Sequence, residues 1–154
     1  MAIEKVREYF KRFKMEDRIL EFDSSSATVS LAAKALNTEE ERIAKSLTFR
    51  VNDEIIMIVM AGDAKVDNHK FKDTFHKKGS MLQFDEVETL IGHAVGGVCP
   101  FAINEGVKVY LDESLKRFDT VFPACGSPNS AIELKIKELE IYSNYSSWVD
   151  ISTY

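Results

Sequence analysis

Five consecutive residues, Gly96, Gly97, Val98, Cys99 and Pro100, could hold a reacting carbonyl without any catalytic side chain. Adjacent glycines let a backbone come close to a ligand, and Pro100 fixes its own φ and removes one donor. The backbone N–H groups of Gly97, Val98 and Cys99 are candidates to face a carbonyl oxygen or the oxyanion that develops from it. A glycine pair also serves as an ordinary turn between two elements, and that reading stands beside the chemical one. The stretch is not a nucleotide-binding P-loop, because no Lys-Ser or Lys-Thr pair follows at the required spacing.

Other residues offer weaker chemistry. Lys45-Ser46 lies where a short helix gives way to a strand, so Lys45 is either a solvated cation or a partner for a phosphate or a substrate carbonyl. His69 and His76 are seven residues apart and share a helix face. No carboxylate or cysteine stands at a spacing that completes a zinc site with them, so neither a metal nor a cofactor is expected. The same segment carries Lys70, Lys72, Lys77 and Lys78 against Asp73, a solvated helix face or a patch that meets phosphates. Cys99 and Cys125 both lie in irregular loops, and a thiolate nucleophile there would need a base or an electropositive setting. His93 is near Cys99 in sequence, which alone does not make a dyad, and small pocket-lining residues are the simpler reading of both cysteines.

The elements that must position these residues follow from apolar periodicity. Ile3, Val6, Phe10 and Phe13 at helical spacing predict an amphipathic first helix. A short strand around Ile19–Phe22 and a polar break over Asp23, Ser24, Ser25 and Ser26 come next. Thr28 caps a second helix that packs Leu31, Ala32, Ala35 and Leu36. Thr38 with Glu41 has the form of a capping box leading a short helix towards Ile43. Leu47, Phe49 and Val51 then alternate with polar residues, and with a turn at Asn52-Asp53 and an apolar run to Met60 they predict a β-hairpin. Asp67 caps a helix to about Lys77, ended by Gly79. Met81 to Phe84 reads as a strand, and Asp85 with Glu88 opens a helix that ends near Gly92. The 93–101 stretch is a loop, strands follow at 107–111 and 120–123, and the 125–130 stretch is a second loop. Ile132, Leu134 and Ile136 alternate, a helix covers about 137–142, and Trp148–Ile151 closes the chain. Short strands mixed with short helices indicate an α+β fold with a mixed sheet.

Composition bounds the rest. The chain has 154 residues, 45% hydrophobic and 29% charged, consistent with one domain over residues 1–154. A net charge of −5 argues against a general duplex-coating protein, so no DNA partner is expected. No apolar run is long enough to span a membrane, the start lacks a signal-peptide core, and two cysteines make no disulfide scaffold. The expected compartment is the cytoplasm.

Taken together, Ile43-Ala-Lys-Ser-Leu-Thr-Phe49, Gly62-Asp63 with Val66-Asp67, Val95-Gly-Gly-Val-Cys-Pro100, Ile132-Glu-Leu134 and Val149-Asp-Ile151 resemble the YbaK-type aminoacyl-tRNA deacylases. That family is related to the editing domain inserted in bacterial prolyl-tRNA synthetase. The resemblance runs from about Thr28 to Ile151. It implies a mixed, partly barrel-like sheet with helices packed around it. It also implies hydrolysis of the ester joining a small wrong amino acid, such as Ala, Cys or Ser, to the terminal adenosine of a tRNA, commonly that for proline. The loop from Gly96 to Pro100 would hold the aminoacyl carbonyl, Lys45 would position the 3′ end, and Ser46 would line the pocket. The 2′-hydroxyl of the terminal adenosine would assist the water. Thr28 would stand on one wall of the pocket, and Ala124, Cys125, Gly126 and Ser127 of the second loop on another. That second loop, Ala124-Cys-Gly-Ser-Pro-Asn129, lacks the basic residues that often follow it in the family. The implied partners are the aminoacyl-tRNA acceptor end and, second, prolyl-tRNA synthetase. Two other classes stay open: a module that binds an aminoacyl-tRNA or a synthetase without hydrolysis, and a hydrolase of small aminoacyl esters.

Overall fold

A computed structural model describes residues 2–154. In chain order the elements are α1 (Ala2–Lys11), β1 (Ile19–Glu21), α2 (Val29–Leu36), β2 (Ile43–Val51), β3 (Glu54–Ala61), β4 (Lys65–Val66), α3 (Asn68–Phe75), β5 (Ser80–Met81) and α4 (Phe84–Ile91). There follow β6 (Lys108–Asp112), β7 (Thr120–Pro123), β8 (Ser130–Ile132), β9 (Leu134–Lys135), α5 (Ile136–Tyr142), β10 (Ser147–Val149) and β11 (Ser152–Thr153).

The β2–β3 hairpin is the spine of a mixed sheet in the order β10-β6-β3-β2-β7-β9, which curls into a half-barrel. Asn52 takes the left-handed conformation, φ 57°, that a tight hairpin turn asks for. The pairing is antiparallel from Ala44↔Ala61 to Val51↔Glu54, and β6 adds in parallel to the far side of β3. Every residue of β3 from Ile56 to Ala61 is buried, as a central strand covered on both faces must be.

Strand β2 divides its other edge between two partners. Ile43 and Ala44 pair in parallel with Phe122 and Pro123 of β7, while Phe49 and Arg50 pair antiparallel with Met81 and Ser80 of β5. Between them, Lys45, Ser46 and Leu47 have no strand partner on that side among the described residues. This gap in the sheet is where the site forms.

Several local expectations need correction. Phe13 is 39% exposed, because α1 ends at Lys11 before the apolar stripe is complete. In α2 the buried residues are Ala32 and Ala33, not Leu31, although Thr28 does cap the helix by accepting from the Leu31 N–H. Residues Glu40–Arg42 form one 3-10 turn with no side-chain cap, so Thr38 and Glu41 make no capping box. Helix α3 is capped by Asp67 as expected but stops at Phe75, where His76 turns left-handed at φ 61°, ahead of Gly79. The strand expected over 81–84 is only Ser80–Met81, and Phe84 instead opens α4 through a Gln83–Glu86 capping box. Glu133 interrupts the alternation over 132–136, leaving β8 and β9 as separate strands.

Candidate functional site

The gap beside β2 opens into a cavity of about 470 Å³, within the usual range for small-molecule sites. Lys45, Ser46, Leu47 and Thr48 of β2 form one wall, and Gly96 and Val98 of the 93–101 loop face it. Thr28, Val29 and Ala32 close a third side, with Phe122, Ala124 and Ala131 beyond. The lining is mostly apolar, so the cavity fits a small, largely apolar group carried on a polar handle.

Three loops make the wall opposite β2, and main-chain hydrogen bonds zip them together. The Gly126 N–H donates to the Gly97 carbonyl at 3.0 Å, the Ser26 N–H to the Pro128 carbonyl at 2.6 Å, and the Phe22 N–H to the Asn129 carbonyl at 2.8 Å. Glycine is required at two places in this stack. Gly96 has φ 99°, and a Cβ there would sit 3.2 Å from the Ala27 side chain. A Cβ on Gly97 would lie 2.5 Å from the Ser127 nitrogen, a contact no side chain can make without parting the loops.

Residues singled out from the sequence therefore divide. Thr28, Lys45, Ser46, Gly96, Val98 and Ala124 come together around one cavity. Gly97, Cys99, Pro100, Cys125, Gly126 and Ser127 do not line it. Gly97, Gly126 and Ser127 are the contact surface between two loops, and Pro100 faces a separate concavity beside Tyr9 and Tyr142. Cys99 and Cys125 are fully buried. The candidate backbone donors are also reduced in number. The Gly97 N–H is already given to the Ala94 carbonyl at 3.0 Å, whereas the Val98 and Cys99 N–H groups have no acceptor among the described residues.

Lys45 stands on the β2 wall of the cavity. Its ammonium donates to the Gly62 carbonyl at 3.2 Å and to the Ala64 carbonyl, clamping the turn between β3 and β4. Burial pushes its pKa down, and the Asp63 carboxylate partly opposes that. Asp63 is itself held by a two-pronged bond from Arg117, at 2.6 and 3.0 Å, and that bond keeps its carboxyl below the ordinary range. An ammonium has three donors, so Lys45 retains one beyond its two carbonyls.

His93 and Cys99 do meet in space, with Sγ 3.5 Å from Nε2, yet they are not a catalytic pair. His93 Nε2 lies 2.6 Å from the Phe101 carbonyl, an acceptor only, so this nitrogen carries the proton. Nδ1 is buried without a partner among the described residues, so none of these orients the ring from that side. Burial raises the Cys99 thiol to about 12 and lifts Cys125 as well, which leaves both protonated and inert near neutrality. The pair closes the base of the loop.

The basic cluster is only partly free. Lys70 is committed to Asp150 at 3.1 Å and to the Ser152 carbonyl at 2.8 Å, and His69 lies 3.3 Å from Asp73. Lys72, Lys77 and Lys78 are exposed and have no ion-pair partner among the described residues. No group of three or more His, Cys, Asp or Glu residues able to hold a metal occurs among the described residues.

Sequence reasoning missed the buried Asp112. It accepts from the Ser114 N–H at 3.0 Å, the Ile151 N–H at 2.9 Å and the Ser152 hydroxyl at 2.6 Å. Asp112 thus docks the end of the chain behind the Lys45 turn. Its partners lie as far as 40 residues away, and nothing local in the sequence marks it.

Residues 23–141 match the aminoacyl-tRNA editing domain family. The chain is 51% identical over 152 residues to YwhH of Bacillus subtilis, an uncharacterized protein, covering 98% of this chain and 97% of that one. It is 31% identical over 115 residues to the proline–tRNA ligase of Halalkalibacterium halodurans, which is 74% of this chain but only 20% of the ligase. Among solved structures, a candidate trans-editing enzyme for prolyl tRNA synthetase superposes with a TM-score of 0.88 at 25% identity, over 99% of this chain and 98% of that one. No helix among the described residues is long and apolar enough to cross a membrane.

Proposed function

Because the chain belongs to the aminoacyl-tRNA editing domain family, we propose that it is a free-standing deacylase that removes a small wrong amino acid from tRNA, most directly Ala, Cys or Ser from the tRNA for proline. The observation that carries this reading is the cavity at the gap in the sheet, where Lys45 and Ser46 face Gly96 and Val98 across a largely apolar space. An aminoacyl ester is already activated. A site that positions it, polarises its carbonyl and admits water needs no nucleophile of its own.

The aminoacyl group enters the cavity with its side chain against Val29, Ala32 and Phe122. The Val98 N–H, which has no acceptor among the described residues, stabilises the negative charge that grows on the carbonyl oxygen. One such donor is worth about 2.7–4 kcal/mol, taking side-chain donors in other hydrolases as the guide. The remaining donor of Lys45 holds the 3′ end. The oxygen of water adds to the carbonyl carbon, the bond from that carbon to the ribose oxygen breaks, and a proton from the water reaches the departing oxygen through the neighbouring 2′-hydroxyl. Products are the free amino acid and uncharged tRNA.

Selection by size follows from the walls, since one methylene is worth roughly 1–3 kcal/mol in such a pocket. The partners are the acceptor end and, for handover of mischarged tRNA, prolyl-tRNA synthetase, with residues 1–154 acting as one unit in the cytoplasm. Hydrolysis of mischarged tRNA ending in 2′-deoxyadenosine tests the proton route. The expected result is a loss of at least 100-fold against the ordinary terminus. Undiminished turnover removes the 2′-hydroxyl from the mechanism.

A further inference from the structure

Phe84 is the most exposed large apolar side chain among the described residues, at 79%, and it stands on the lining of the cavity. Beside it on the same lining are Met81, 59% exposed, and Val95, 46% exposed. An aromatic ring so open is a poor contributor to the fold, yet its backbone is firmly held. It is the first residue of α4, whose entry is fixed by the Gln83–Glu86 capping box, and Glu86 is tied to Arg50 at 3.3 Å. Met81 is fixed too, by its register opposite Phe49 of β2. The backbone is thus rigid and the ring is left for something outside the chain.

We propose that Phe84, with Met81 beside it, is a stacking platform for the terminal adenine base of the aminoacyl-tRNA. The inference rests on the deacylase reading, because the argument begins from an aminoacyl group in the cavity. The ester joins that group directly to the ribose of the last nucleotide, so the ribose and its base must emerge at the mouth. An open aromatic face there meets the base, and stacking suits a base that has no pairing partner. Asp85 and Glu88 follow Phe84 on α4, Glu86 is neutralised by Arg50, and the free cations of this part of the chain precede the platform. Lys77 and Lys78 are exposed, unpaired among the described residues, and only a few positions before Met81, where they can meet the phosphates leading into the last nucleotide.

Phe84 would act as a substrate-positioning contact, not as a participant in bond breaking. Loss of base–aromatic stacking weakens binding by about 5- to 150-fold. Phe84→Ala should therefore raise KM for mischarged tRNA at least fivefold while kcat stays within about twofold, and Phe84→Tyr should restore KM. Hydrolysis of a 3′-aminoacyl ester of 1-deoxyribose (1,4-anhydroribitol), which keeps the neighbouring 2′-hydroxyl but has no base, should be the same for wild type and Phe84→Ala. A separate measurement does not need turnover. In Phe84→Trp, fluorescence of the new tryptophan, read against the wild-type Trp148 background, should be quenched by the trinucleotide CCA and much less by a CC trinucleotide with an abasic third position. If wild type turns over no charged tRNA but the CCA quench is seen, the deacylase reading fails and the platform stands. If turnover is normal but Phe84→Ala leaves both KM and CCA binding unchanged, the platform is wrong and the deacylase reading stands. Equal loss of hydrolysis of the base-free ribose ester in Phe84→Ala would also overturn it, since the residue would then be shaping the cavity. Loss of synthetase binding with CCA binding intact would overturn it in favour of a protein contact at this rim.

Discussion

Lys45 has two of its three donors committed to the Gly62 and Ala64 carbonyls, so it is a strut as well as a cation facing the cavity. Both roles are lost in Lys45→Ala. The variant should stay folded with about 1.5–3 kcal/mol less stability, the range for hydrogen bonds to a charged group, and deacylation should fall at least tenfold. Circular dichroism and urea titration read the first effect and single-turnover kinetics the second. Normal turnover by the folded variant would remove Lys45 from the site. The resemblance to known deacylases pointed to Lys45, but not to its clamp on the next turn, because the partner carbonyls lie 17 and 19 residues on and leave no pattern in side-chain identity. The cysteines show the opposite case. Their loop positions suggested pocket-lining roles, and only the packing around them reveals that both are fully buried and protonated. Loop residues are placed by contacts made across the fold, which periodicity does not encode.

At the scale of elements, the stacked loops set the shape of the cavity. Gly97→Ala places a methyl group against the Ser127 and Gly126 backbone at 2.5 and 2.6 Å. It should cost about 1–3 kcal/mol or more in the way overpacking does, lowering the urea midpoint and the activity together. An unchanged midpoint would mean that the loops part freely. His93, which closes the base of the 93–101 loop, adds a pH dependence. Burial lowers its folded-state pKa, while in the unfolded chain it titrates near about 6.5. Below that value the unfolded state binds more protons than the native state, so stability is full above about pH 6.5 and is lost as pH falls from there towards the lowered native pKa. Thermal midpoints should drop as pH falls below about 6.5, and the drop should be shallower in His93→Gln, which keeps a donor for the Phe101 carbonyl. Parallel pH profiles would remove His93 as its source. The hairpin, the Thr28 and Asp67 caps and the two loops were legible from alternation, cap chemistry and glycine placement. The gap beside β2 was not. It depends on β7 and β5 taking opposite ends of one edge, and β7 lies some 80 residues further along the chain.

For the whole molecule, net charge and function fit if only the acceptor end is gripped. A chain of net charge −5 is ill suited to coating a duplex, whereas the proposed grip on one single-stranded terminus asks only for local cations, with Lys45 on the cavity lining and the exposed Lys77 and Lys78 a few positions before Met81. The α+β class could be read from the mixture of short elements, and the barrel-like curl came from family resemblance. The most direct test is a deacylation panel in which the tRNA for proline, charged with Ala, Cys, Ser or Pro, is incubated with the purified protein and with Lys45→Ala. Rapid loss of at least one mischarged species, with Pro spared and the variant at least tenfold slower, is the predicted result. Absence of hydrolysis across all four, or cleavage of Pro as fast as the rest, would contradict an editing function at this cavity.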